Sequence, residues 1–456
     1  MSRSERSGVQ NLGLSRRGVI KSVAAAVVVG PVVAATGGVR APAVRAAPGS
    51  VAPRVTGPLR VGLIGCGGRG TGAAVQALRA DAGAVLVAMG DAFGDRLKSS
   101  HAAIVEAMGD DAEKRVQVPE EKRFVGFDAY QKVIDAGVDV VLLTSYPHFR
   151  PAHLRGAVEA GKHVFAEKPL AVDAPGVRSV IESCAIAEKK NLALVVGFCW
   201  RYNGGMVDAF KALHEGVIGD VVSVHTTYHT STLSKRPRKE GWSDLEFQMR
   251  NWWHFCWVSG DHIVEQACHS IDRLKWATRE RRPVQCTALG GRAARSGPEH
   301  GDVFDHFTVI YDYDDGTRAF HTCRQIDGCP SDNMDYVYGS KGSMVIDGWK
   351  PRYEAKDRAG KVLWSGQGSA AEVGGMYQEE HNRLFRSIRE GVPIRDGLSG
   401  VDSTLMAVMG RMAAYTGQTI GWDQALNSTQ RLGPETYAWG PAPEVVVPIP
   451  GKTKFF

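Results

Sequence analysis

From residue 59 to residue 197 the chain repeats one alternation: a short apolar run, a turn, then apolar positions on a helical period. The runs at 59–64, 84–89, 138–144, 163–166 and 192–197 predict strands. Between them helices are expected after the first run (Ala73, Ala74, Ala77, Leu78), from Asp91 to Met108, and at 128–136, 151–160 and 175–190. The segment at 110–122 is polar and reads as an exposed excursion. The run VDVVLLT at 138–144 is apolar on successive positions, as expected of a parallel strand covered on both faces. Beyond residue 197 the rhythm changes. Runs at 221–228 and 304–313 alternate like half-exposed strands, Asp314-Asp315-Gly316 reads as a hairpin turn, and further strands follow at 318–324, 336–338 and 343–346. Helices are predicted at 261–277, 378–389 and 403–415, before a Pro-rich irregular tail. The pattern predicts an α/β chain: an N-terminal doubly wound parallel sheet, then an α+β domain on a large, mostly antiparallel open sheet. No internal repeat appears.

The first apolar run ends in Gly65-Cys66-Gly67-Gly68-Arg69-Gly70 and the pattern then turns helical. Strand, glycine turn and helix are the setting in which G-x-G-x-x-G becomes a dinucleotide fingerprint. Gly65 serves the tight turn, Gly67 the approach of a pyrophosphate, and Gly70 the close packing of helix on strand. Gly68 and Arg69 share the turn, and the helix N-terminus offers free N–H groups to phosphate. The second run ends at Gly90-Asp91, 21 residues beyond Gly70, where an acid can accept from ribose hydroxyls. Its charge repels a 2′-phosphate, so NAD is favoured over NADP, with Arg96 nearby softening the preference.

At 456 residues the chain is long enough for two cores. The net charge of +6 lies in the leader: residues 1–46 carry seven basic groups and one acid, leaving 48 of each sign in the rest. A neutral body gives no support to nucleic-acid binding. Within the leader, Ser15-Arg16-Arg17-Gly18-Val19-Ile20-Lys21 precedes a short apolar stretch and an A-x-A-like site at Val44-Arg45-Ala46. This is similar to a twin-arginine export signal, the other reading being a disordered basic tail. The domain plan is therefore signal at 1–46, linker at 47–58, NAD-binding domain at 59–197 and substrate-binding domain at 198–456. The eight cysteines have no C-x-x-C spacing and no zinc pattern. Cys323 and Cys329 are near enough for a disulfide, but cargo folded before export favours buried free thiols.

The order of pieces resembles the Gfo/Idh/MocA family of sugar and cyclitol oxidoreductases. The resemblance rests on Gly65–Gly70, on Glu159–Val164 leading into Glu167-Lys168-Pro169, on Gly260–Asp272 and on the late segments 407–417 and 421–428. It implies that Lys168 bonds the reacting substrate hydroxyl, with Glu167 beside it at the cofactor; the alternative is a surface lysine paired to Glu167. It also implies an acid and a histidine four residues apart: here Glu265, where the family more often has Asp, and His269 as acid/base. A helical histidine bonded to Asp272 is the structural alternative. Ser145 and His148 align with a family turn near the cofactor. Arg201 and Tyr202 fall at the domain junction. Trp252, Trp253 and His254 sit in an aromatic run suited to sugar faces, although clustered tryptophans are more often core.

Two enzymatic readings follow. One is a nicotinamide-dependent oxidoreductase acting on a secondary hydroxyl of a sugar, cyclitol or glycoside. The other is a redox-neutral glycosidase or lyase working by oxidation and elimination around bound NAD. A non-catalytic sensor on the same fold would not need Lys168 and His269. The resemblance further implies a homo-oligomer formed through the C-terminal sheet. Export would require a tightly held cofactor, because free NAD is scarce outside the cytoplasm.

Overall fold

The computed structural model describes residues 55–455, so the expected export signal lies outside the described residues. Six strands, β1 (Leu59–Ile64), β2 (Ala84–Asp91), β3 (Arg123–Val125), β4 (Val140–Leu143), β5 (His163–Ala166) and β6 (Leu194–Val196), form a parallel sheet in the order β3-β2-β1-β4-β5-β6. The order reverses beside β1, so the connections that leave the carboxyl ends of β1 and β4 part and open the crevice where such sheets bind ligands. Val140, Val141, Leu142 and Leu143 are all buried, the signature of a strand covered on both faces.

Nine strands follow: β7 (Val221–Thr230), β8 (Gln285–Gly291), β9 (His306–Asp312), β10 (Arg318–Gln325), β11 (Asp335–Gly339), β12 (Gly342–Asp347), β13 (Arg352–Asp357), β14 (Val362–Gly366) and β15 (Ile420–Gly421). They form one sheet in the order β14-β13-β12-β11-β7-β10-β9-β8-β15, antiparallel except where β7 meets β10. The expected fold class is therefore present. Five strands escape the apolar pattern: β3 and β15 are very short, β8 ends in two glycines, β13 alternates with charge, and β14 is an edge strand. The excursion at 110–122 holds short helical turns, a parallel bridge from Val116 to Leu86 and the buried Val118 before β3.

Two late helices tie the sheets together. The helix Ala370–Glu390 begins eight residues before its expected start. Ser369 and Glu372 form a capping box, which carries the helix through the Gly374-Gly375 pair. It returns to the first sheet, placing Leu384, Phe385 and Ile388 in the same apolar cluster as Ala73, Ala77 and Leu78 of the helix Gly68–Ala80. The chain then adds a short extended piece to β6, with Leu194 N–H donating to the Ile394 carbonyl at 2.8 Å. The helix Gly397–Thr416 is buried nearly all round, as its mostly small and apolar sequence allows, and its buried Arg411 donates to the Val172 and Gly260 carbonyls. All eight cysteines are free thiols, and seven of them are buried.

Candidate active site

The crevice above β1 and β4 opens into a cleft of about 730 Å³. Its floor is the glycine turn. Gly65 has φ +99°, and a Cβ there would lie 2.4 Å from the Ser145 nitrogen. At Gly70 a Cβ would lie 2.0 Å from the Gly65 carbonyl oxygen, so helix and strand touch backbone to backbone. Gly67 and Gly68 face open space, and the helix Gly68–Ala80 starts without a side-chain cap. Bare backbone and uncapped N–H groups fit a pyrophosphate. At the end of β2, the Asp91 carboxylate accepts from the Cys66 N–H at 2.6 Å and the Phe93 N–H at 2.8 Å. Burial pushes this carboxyl up, and those two bonds oppose the shift. Arg96 lies beside it, donating to the Tyr146 hydroxyl at 2.6 Å and stacking over the Phe93 and Tyr146 rings.

At the other end of the cleft, Lys168 follows β5. Its Nζ donates to the Glu265 carbonyl at 2.6 Å and reaches Glu265 Oε1 at 3.4 Å. Burial works against the lysine's charge, but Glu265 and other negative neighbours hold its pKa above the ordinary value. This contact explains a break in the expected helix. Instead of one helix over 261–277 there are two, His262–Glu265 and Cys268–Ala277, because the Glu265 carbonyl faces Lys168 while the His269 N–H turns to Gln266. Glu265 and His269 still both line the cleft. His269 has no partner at Nδ1, and burial with the nearby charge of Lys168 pushes its pKa far down, so the ring is neutral. It does not bond Asp272, whose carboxylate is taken by Arg201 and Ser403.

Arg69 lines the cleft, but its guanidinium is spent inward. Nε donates to Glu167 at 2.5 Å, Nη2 to Glu380 at 2.6 Å and Nη1 to Gln76 at 2.8 Å. Glu380 comes from the returning helix, and burial raises its carboxyl well above the usual range. Thus the turn, the strand end bearing Lys168 and the late helix meet in one ionic cluster.

Ser145 lines the cleft, its hydroxyl 3.0 Å from His153 Nδ1. Trp252 and Trp253 line the cleft as well, with ring centroids 5.2 Å apart, and the Tyr146 ring lies tilted against Trp252 at 5.0 Å. Four expected site residues lie elsewhere. His148 packs edge-on against Trp257 and meets the Tyr437 hydroxyl of the C-terminal tail at 2.7 Å. Arg201 is bound to Asp272 through two 2.8 Å bonds and to Glu280 at 2.5 Å, and Tyr202 donates to Asp396 at 2.5 Å. Both face a separate polar hollow under the helix Gly397–Thr416. His254 is wholly buried against His300, because the tight turn Trp252–His254 sends two tryptophans to the cleft and the third ring inward. Conversely, Arg150, Tyr228, Arg236 and Gln266 line the cleft without having been singled out. For Tyr228 the clue is its strand parity: it shares the buried face of β7 with Val224 and Thr226. Burial raises its phenol to about 12, so it remains a hydrogen-bond donor.

Two sequence models of one family match the chain: the NAD-binding Rossmann fold of the GFO/IDH/MocA oxidoreductases at 59–198, and the GFO/IDH/MocA C-terminal domain at 206–345. Together they span more than half of its residues. The 2,7-anhydro-N-acetylneuraminate hydratase of Escherichia coli is 24% identical over 246 residues, 54% of this chain and 59% of that protein. An inositol 2-dehydrogenase of Burkholderia cenocepacia is 30% identical over 218 residues, 48% of this chain and 54% of that protein. The matched region thus spans little more than half the length of these curated relatives. Among solved structures, levoglucosan dehydrogenase in complex with NADH and levoglucosan superposes with a TM-score of 0.62 at 18% identity, covering 80% of this chain and all of that one, a likeness of fold.

Proposed function

The chain belongs to the Gfo/Idh/MocA oxidoreductase family, and from that premise we propose that it moves hydride between a nicotinamide cofactor and a secondary hydroxyl of a sugar, cyclitol or glycoside. The observation that carries this reading is the shared cleft: Lys168, Glu265 and His269 stand at one end and the bare glycine turn at the other. A bound nicotinamide would supply the hydride acceptor. The protein's part is to hold the hydroxyl and move its proton. Lys168, kept charged and anchored on the Glu265 carbonyl, donates to the hydroxyl oxygen and stabilises developing negative charge there. His269, held neutral, is the acceptor for the proton. Trp252 and Trp253 offer flat faces for a sugar ring and exclude water. Asp91 favours NAD over NADP.

A second reading is favoured by one relative, the anhydro-sugar hydratase: oxidation followed by elimination and return of the hydride, with no net redox change. The same neutral imidazole would take a ring C–H proton. Incubating the protein with a panel of sugars, cyclitols and glycosides, while following cofactor fluorescence and products, separates them. Free ketosugar supports the dehydrogenase; released aglycone or hydrated sugar at constant cofactor supports the second. A protein that neither binds NAD nor changes any of these compounds refutes both.

The export signal and tight cofactor retention belong to the same proposal, motivated by Arg16-Arg17 and the apolar stretch that follows. Protein recovered from the periplasm carrying NAD(H) that survives gel filtration is the expected result; protein exported empty argues against it. We further propose that the open face of the nine-stranded sheet joins copies of the chain. Leu289, Ile310, Phe320, Tyr336 and Tyr338 stand exposed or half-exposed there, a row of apolar side chains on one surface. Light scattering that finds a monomer refutes this assembly.

A further inference from the structure

The helix Arg150–Glu159 begins with a buried cation. The end of a helix that carries Arg150 is the positive end of its dipole, where a cation is disfavoured. The residue is 5% exposed, yet it lines the cleft with Lys168, Glu265 and His269. Its guanidinium makes one hydrogen bond, from Nη1 to the Pro169 carbonyl at 2.6 Å, and Nε has no acceptor. Among the described residues no carboxylate pairs with it.

The cations closest to the Lys168 end are matched, and Arg236, which also lines the cleft, is exposed to solvent. Arg69 is held between Glu167 and Glu380, and Lys168 lies against Glu265. Burial lowers Arg150 only to about 10, so it is charged at neutral pH. The charged groups that act on it are Glu167 and Glu265, at the catalytic end, and not Asp91 at the far end. A buried, unpaired charge beside another cation and a helix N-terminus is costly, and proteins keep such charges where a ligand supplies the counter-charge. A neutral sugar leaves the excess in place, and an oxidised nicotinamide ring adds to it.

We propose that Arg150 receives a carboxylate of the substrate, so that the compound oxidised in this cleft is a sugar acid, a hexuronate or its glycoside, rather than a neutral sugar. This rests on the cleft being the nicotinamide and sugar site proposed above. One buried unmatched cation is balanced by a monoanion such as a carboxylate, held by two parallel N–H···O bonds, whereas a phosphate dianion would leave an uncompensated negative charge.

Trp252 and Trp253 line the cleft, so a bound sugar is expected to change tryptophan fluorescence without turnover. Glucuronate, galacturonate and mannuronate are titrated against their parent hexoses and glucose 6-phosphate, with wild-type protein saturated in NADH. At least one uronate is expected to bind about tenfold or more tightly than its parent hexose, a usual gain for a charge-assisted pair. R150M should bring the ratio of uronate to hexose affinity down to about one, whatever its effect on hexose binding itself, and R150K should keep part of that ratio. Equal binding of uronates and hexoses, a preference for the phosphate, or an R150M variant that keeps the wild-type ratio of uronate to hexose affinity each overturn the proposal. Should R150M fail to fold, the wild-type comparison decides. A separate NAD titration keeps the two readings apart: loss of NAD binding refutes the dehydrogenase, whereas intact NAD binding without uronate preference refutes only the role of Arg150.

Discussion

His153 offers a measurement in which the structure predicts both sign and size. Its ring is buried behind Ser145, stacked on Tyr130 at 4.2 Å and near-parallel to Phe149 at 6.0 Å. Burial, then the charge of Arg150, push its pKa from the ordinary 6.5 to about 3. Below about pH 6.5 the unfolded chain takes up a proton that the folded state refuses until about pH 3, so stability is lost as pH falls through that window. Between pH 7 and pH 5 this one site costs about 2 kcal/mol. His254 and His148, each lowered to about 4 chiefly by burial, act in the same sense. Replacing His153 with Gln removes one titration and leaves the others. The variant should be less stable at pH 7 through lost stacking, by about 1 kcal/mol. The gap to wild type should then close, and even reverse, by about 2 kcal/mol at pH 5. Urea unfolding followed by tryptophan fluorescence at pH 7, 6 and 5 measures it. A gap that stays constant with pH would show that His153 titrates normally in the folded protein and refute the reasoning.

Lys168→Ala should keep cofactor affinity while turnover falls by about 10²–10⁴-fold, read by fluorescence titration and initial rates; lost NAD binding with an unchanged rate per bound cofactor would contradict the assignment. Asp91→Ser with Arg96 intact should raise NADP affinity relative to NAD by about tenfold, measured by titrating both. Equal losses for the two cofactors would mean that Asp91 serves only the turn, through Cys66 and Phe93. Arg273→Met strands Asp335, which is fully buried and bonded to Arg273 at 2.8 Å, and should lower unfolding free energy by about 3–5 kcal/mol. A loss below about 1 kcal/mol would show that the pair gains no more than it costs to bury.

What could be read along the chain was whatever a single segment must satisfy for itself. The glycines of 65–70 are legible because one residue needs φ +99° and another meets a backbone at 2.0 Å, demands that no other side chain meets. The parallel strands are legible because burial on both faces leaves no polar parity. The alternating strands of the second sheet were legible where a two-residue period ran long enough, as at 304–313, and were lost where glycine or charge interrupted it, as in β8 and β13. Local periodicity does not say which distant groups compensate each other. Arg201 looked available at a domain junction and is consumed by Asp272, 71 residues away. His254 follows two cleft-lining tryptophans and points inward, because a tight turn rotates each successive side chain. The helix expected over 261–277 breaks where Lys168, 97 residues earlier, meets the Glu265 carbonyl. Arg150 carries no motif; its charge becomes meaningful only when the fold encloses it in the cleft beside Lys168, Glu265 and His269 with no carboxylate in ion-pair contact among the described residues. Periodicity and backbone strain act over a few residues and are written locally, whereas charge compensation and burial are properties of neighbours that only the folded chain brings together.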